Sequence, residues 1–296
     1  MESFWPWHFV SVSEEEQLRR RYLLDLRGSF AQWSIMLGIL IIRVTYQGLN
    51  SASQIGYRTQ PHRGPVSWWD RPLVAGWLET RRQYAVCGLW LTWLFGLCVW
   101  SSDEDYLHLT KALGHVGLSQ IPLQVLMSPA AYISTSRPSA ASIFSFLTSI
   151  PQGTITPYHR LFGRVVISPL LLGHATLYLL FFVQSSHPEY GILLAKRVRD
   201  FDVQCGLSAL FAAAALLFFV RPRGGTMQKG LARGSATAGS MQERRRAFYI
   251  GHVSLVGILC IAAYFHVAQA QKYMLQSFGA FVMNGVGSWV MVHWGR

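Results

Sequence analysis

Four of the ten histidines fall in matched places on two apolar stretches. His159 and His174 are 15 residues apart on one stretch, and His252 and His266 are 14 apart on the other. At ~100° and ~1.5 Å per residue, 14 helical steps leave two side chains about 40° apart and 15 leave them about 60° apart. Either spacing separates them by about 21 to 22 Å along the axis. Each helix therefore shows two imidazoles on one broad face. Both helices are expected to start from the same membrane face, which sets His159 level with His252 and His174 level with His266. Neutral imidazole is a good axial ligand for haem iron. Two facing ligands at each of two depths are what a pair of stacked, bis-His haems requires. One histidine in an apolar span can be a core residue bonded to a carbonyl, but an ionisable group there marks a functional site by default, and four at matched depths do so more strongly. His108 and His115 lie seven apart on another apolar stretch, with no second pair at their depths. His8, His62, His187 and His293 lie in loops or at ends. These six are expected to be structural.

The elements that must carry the histidines are membrane helices. The chain is 51% hydrophobic and only 14% charged, against about a quarter charged in soluble domains. A bilayer core about 30 Å thick needs about 20 apolar residues in helical form. Stretches near 30–48, 82–100, 107–128, 161–183, 202–220, 248–270 and 276–293 meet that need. The expected fold is an all-α, polytopic membrane helix bundle of about seven spans. The first span carries Arg43, the third Pro122 and the fourth Pro169; packed neighbours can satisfy the backbone groups a proline leaves open. Ser13 followed by Glu16 reads as a capping box opening an amphipathic helix that runs into the first span. Residues 51–75 read as a polar loop, and 221–242, rich in Gly, Ser and Ala, as a disordered one.

The formal charge of +12 does not indicate nucleic acid, because the basic residues sit in short blocks between apolar runs rather than on one solvated face. With the N-terminus outside, fifteen basic residues fall on the cytosolic side against nine opposite, which favours a cytosolic C-terminus. Cys87, Cys98, Cys205 and Cys260 all lie within apolar runs and read as packing residues. The start of the chain has no basic segment followed by an apolar core, so no signal peptide is expected.

Several stretches resemble the transmembrane part of the ferric reductase and NADPH oxidase superfamily, the fungal ferric reductases in particular. His159-Arg160-Leu161-Phe162-Gly163-Arg164, followed by apolar residues to His174 and Tyr178, is similar to that family's first haem helix. Arg246-Ala247-Phe248-Tyr249-Ile250-Gly251-His252, running to His266, resembles the second. The stretch from Asp105 to Gly114, with Pro122, resembles the preceding span. The similarity covers roughly 82–296. It divides the chain into an N-terminal amphipathic segment (1–29), an extra first span with a polar loop (30–81), and a ferric reductase-like haem-binding domain (82–296).

The resemblance implies an oxidoreductase that moves electrons across the membrane to a ferric chelate or another small acceptor. It implies two b-type haems. His159 and His252 would ligate the inner one and His174 and His266 the outer, with Arg160 and Arg164 facing haem propionates. Positive-inside anchoring accounts equally well for the two arginines. Two departures stand out. The family spacing is 14 in both helices, and the first pair here is at 15; Pro169 lies between and can leave a bulge that absorbs one residue. The family's FAD and NADPH domain would begin where this chain ends, and no Gly-rich dinucleotide fingerprint occurs. FAD and NADPH would then act only through a partner flavoprotein. Two alternatives are a non-catalytic relative, serving as accessory subunit or as a redox accessory in a small-molecule pathway, and a proton or metal relay through the membrane histidines. The plasma membrane is the family default, and the endoplasmic reticulum stays open.

Overall fold

The computed structural model describes residues 13–55, 67–74, 79–102, 105–129, 141–184, 189–218 and 238–294. Over these the chain is an all-α helix bundle without strands, and an isolated bridge joins Pro72 to Thr80. The principal helices are α1 (Glu14–Ile55), α2 (Arg81–Val99), α3 (Tyr106–Ser119) and α4 (Ile121–Leu126), then α5 (Ile143–Thr148) and α6 (Gln152–Phe162). A π-helical turn over Gly163–Ile167 joins α6 to α7 (Ser168–Gln184); α8 (Glu189–Arg197), α9 (Phe201–Phe218), α10 (Ala238–His266) and α11 (Gln271–Trp294) complete the order.

Among the described residues, four helices are long and apolar enough to cross a membrane: Glu14–Gly48, Gln152–Phe182, Phe201–Phe218 and Arg246–His266. The three other expected spans are helical where the sequence placed them, as α2, α3 with α4, and α11. The third is not one rod. It breaks at Gln120, where Pro122 at the start of α4 withholds an N–H and a new helix begins. The fourth begins nine residues earlier than the apolar run suggested, at Gln152. The short helices α5 and α8 were not expected. The disorder expected over 221–242 lies outside the described residues up to 237, and 238–242 instead form the first turn of α10.

Burial follows a bundle whose outer face meets lipid. Leu94, Ala112, Val116, Leu161, Val166 and Leu170 are almost wholly enclosed, whereas Trp33, Leu89, Phe211 and Phe278 point outward, each about 70% exposed. Large apolar side chains outside and small ones at helix contacts are the pattern that packing in lipid selects. Helix α3 lies at the centre: of its fourteen residues only Leu107 and Lys111 are not buried. A Cβ on Gly117 would come within 3.0–3.1 Å of Leu171 and Leu170, so this glycine brings α7 against α3.

Several polar groups inside the bundle have partners that hold its helices in register. Arg43 donates to the Leu147 carbonyl at 3.1 Å, which accounts for a charge in an apolar span. Asn284 donates to the Val125 carbonyl at 2.7 Å and accepts from the Ile143 N–H at 2.7 Å, tying α11 to α4 and α5. At the N-terminus the Ser13 hydroxyl caps the Glu16 N–H at 3.3 Å, while the Glu16 carboxylate turns to Arg19 and Arg20. A complete capping box forms instead at Thr80 and Gln83, where α2 opens.

Candidate haem site

The fourth span holds both histidines of the first pair, and its geometry depends on the π-helical turn between them. The Ser168 N–H reaches back five residues to the Gly163 carbonyl, and the Ser168 hydroxyl donates to the same oxygen at 2.6 Å. Pro169 follows at once and has no N–H to continue a regular ladder. A π turn takes in one residue more than an α turn. The 15-residue separation of His159 and His174 is thereby brought to the phase of a regular 14. Read as a two-haem protein, a chain lacking Val165, one residue of this turn, is expected to form continuous α-helix there and to keep its haem complement. Haem quantified per chain on the purified deletion protein checks this; loss of either haem would sink the account of the turn.

The four histidines meet in two pairs. The ring centroids of His159 and His252 are 6.3 Å apart with the planes at 70°, and those of His174 and His266 are 6.3 Å apart at 63°. An imidazole nitrogen binds a metal ion at about 2.0–2.1 Å and lies about 1.1 Å from its ring centre, so two imidazoles on opposite sides of one ion put their centroids about 6.3 Å apart. Both pairs have that spacing.

Three of the rings are held by backbone carbonyls. His159 Nδ1 donates to the Gln124 carbonyl at 2.9 Å, His174 Nδ1 to Thr110 at 2.8 Å and His266 Nδ1 to Asp202 at 2.7 Å. A carbonyl only accepts, so the proton is on Nδ1 and the Nε2 lone pair is left for a metal. This outer hydrogen bond is the usual way a ligating histidine is fixed in tautomer and orientation. His252 is positioned differently, by stacking on Phe248 at 5.8 Å with the rings 16° from parallel. All four histidines are half-buried.

The supports recur. His174 lies on Gly114, four residues beyond the Thr110 that accepts its bond; a Cβ there would sit 2.9–3.2 Å from the imidazole. His266 lies on Gly206, four residues beyond Asp202, where a Cβ would sit 2.7–3.2 Å from its ring. Both outer histidines thus rest on a glycine of the neighbouring helix and bond the carbonyl one turn earlier. At the inner pair the clasp is reciprocal: the Gln124 side chain donates to the His159 carbonyl at 2.8 Å while the Gln124 carbonyl accepts from the His159 ring.

Arg160 and Arg164 converge on Glu79, which sequence reasoning did not single out. Arg164 Nη2 is 2.7 Å and Arg160 Nε 3.6 Å from the same Glu79 oxygen, and Glu79 is 6% exposed. His115 is a satisfied interior histidine, its Nε2 2.9 Å from the Tyr273 hydroxyl and 3.6 Å from Asp25. His108 is buried on the same helix, and its Nε2 has no hydrogen-bond partner. The side chains of His8, His62, His187 and His293 lie outside the described residues. The four cysteines are free thiols, Cys87 and Cys98 buried. Among the described residues no three His, Cys, Asp or Glu side chains gather as a metal site of their own; two facing imidazoles suit a metal that brings its remaining ligands with it, as haem iron does.

Fold and site together define a polytopic membrane protein with paired interior histidines at two levels. Residues 113–263 match the family model of the ferric reductase like transmembrane component, half of the chain, and the protein belongs to that family. The match takes in His159, His174 and His252 and ends three residues before His266. No curated protein and no solved structure matches the chain. Membership places the protein among membrane oxidoreductases.

Proposed function

We propose that the chain is a transmembrane electron carrier with two b-type haems, one between His159 and His252 and one between His174 and His266. The observation that carries this reading is the equal 6.3 Å spacing of the two imidazole pairs, with the proton of three rings held on Nδ1 by a carbonyl. When bound, the haems supply one-electron carriers at two depths of the bilayer. The chain's own residues ligate through Nε2, fix each ring, and keep the surroundings apolar, all of which set haem potential. Arg160 and Arg164 lie beside the inner pair, suited to haem propionates. Electrons come from a flavin and NADPH donor and leave to a ferric chelate or another small acceptor on the opposite face. The plasma membrane is the compartment this role favours.

The π turn supports this reading over that of a relative which has lost its cofactor, because it removes the one irregularity in the ligand spacing. The small or apolar neighbours of the histidines, among them Gly251, whose Cβ position has nothing within 4 Å, favour a flat macrocycle over a proton or metal relay.

The test is to purify the chain in detergent and record oxidised and dithionite-reduced absorption spectra, with haem quantified. The expected result is a low-spin b-type spectrum at about two haems per chain. Folded protein that stays colourless after haem supplementation would leave an accessory, non-redox role as the better account.

A further inference from the structure

The inner histidine pair has a charge arrangement that ligation does not require. Glu79 lies just before α2, and the residue that follows it is held twice: Thr80 forms a capping box with Gln83 at the helix start and bridges Pro72. The Glu79 carboxylate is buried against Arg164 at 2.7 Å and Arg160 at 3.6 Å. Arg160 directly follows His159, and Arg164 lies in the first turn of the π segment. Burying a carboxylate costs several kcal/mol of desolvation, and the pairing energy commonly does no more than offset it. A buried ion triad is therefore weak as a stabilising device. Its other effect is electrostatic. Charges interact more strongly in such surroundings than in water, and net charge near a haem is one of the levers on its potential. One anion beside two cations cuts their combined effect at the inner pair. Among the outer-pair supports no carboxylate takes part: the contact of His266 with Asp202 is to the backbone carbonyl.

We propose that Glu79 is a positioning residue that orients Arg160 and Arg164 at the inner histidine pair and lowers the reduction potential there, favouring electron passage toward the outer pair. This rests on the two-haem reading above. An anion disfavours the added electron, so removing it raises the potential. Freeing the two arginines to turn toward haem propionates acts in the same direction.

The experiment is a redox titration of this chain followed by visible absorption, on wild type, Glu79→Gln and Glu79→Asp. The wave that survives in a His266→Ala chain is the inner one. Glu79→Gln is expected to move the inner midpoint upward and leave the outer one in place, while Glu79→Asp stays near wild type. A two-haem Glu79→Gln protein with an unmoved inner midpoint, or with both midpoints shifted equally, overturns the proposal. If Glu79→Gln does not load its inner haem, Arg164→Gln decides. That variant keeps the carboxylate and removes a cation, so its inner midpoint must fall; an unmoved or raised value overturns the proposal. A wild-type chain without haem would instead fail the reading beneath it, before any variant is compared.

Discussion

Replacing His266 or His174 with alanine is expected to lower haem from about two per chain to about one, with loss of a single wave from the redox titration. The two imidazoles of each pair are 6.3 Å apart, and each pair lies at a separate depth, about 21 to 22 Å from the other along the helices. On the two-haem reading, one substitution strips one level and leaves the other ligated. The same holds for His159→Ala at the inner level. His252→Ala tests the least anchored ring, because His252 is oriented by Phe248 rather than by a carbonyl. Added imidazole is expected to restore part of the lost absorbance in each variant, since it can occupy the place of the missing ring. Loss of both haems in every one of the four variants, with the protein still folded, would argue that the histidines do not act as two independent pairs. Full retention in any variant would remove that residue from the ligand set.

Much of this site was legible because it rests on local periodicity. Apolar runs located the helices, and the intervals of 15 and 14 put the histidines in phase. Even the irregular interval could be read, because a proline between two residues that must share a face leaves few ways to absorb the extra position. What was not legible depends on contacts distant in the chain. Glu79 is 85 residues from Arg164 and sits in a stretch with no apolar period, so nothing nearby marked it as their counter-charge. The break of the third span at Gln120 was masked by continuous apolar composition through Pro122, and only packing decides whether such a proline bends a helix or ends it. Of the glycines beside the histidines in sequence, Gly173 faces Leu113 at 3.6 Å and serves helix packing. The glycines that touch the imidazoles are Gly114 and Gly206, on other helices.

The Gly206→Ala chain is accordingly expected to lose most of its outer haem while folding and keeping its inner one. A methyl at that position would lie 2.7 Å from Cε1 and 2.8 Å from Nδ1 of His266. The ring cannot retreat along its own plane without breaking the 2.7 Å bond to the Asp202 carbonyl, and tilting away from α9 changes its 6.3 Å spacing to His174. Overpacking of this kind costs about 1–3 kcal/mol, and disturbing the groups that orient a ligand typically costs about 10–100-fold in metal affinity. Gly114→Ala, which presses on His174 from α3 at 2.9 Å, should have the same outcome. Gly257→Ala supplies the contrast: it lies on α10 between the two histidines, with nothing within 4 Å of its Cβ position, and replacing a helical glycine by alanine there favours the helix by about 1 kcal/mol. Haem per chain and the outer midpoint, measured on all three proteins, separate a cradle for the ligand from a general sensitivity to added bulk. If Gly257→Ala loses as much haem as Gly206→Ala, the cradle is not what holds His266. If only the two outer-pair glycines matter, ligand placement in this protein depends on helices α3 and α9 as much as on the helices that carry the histidines.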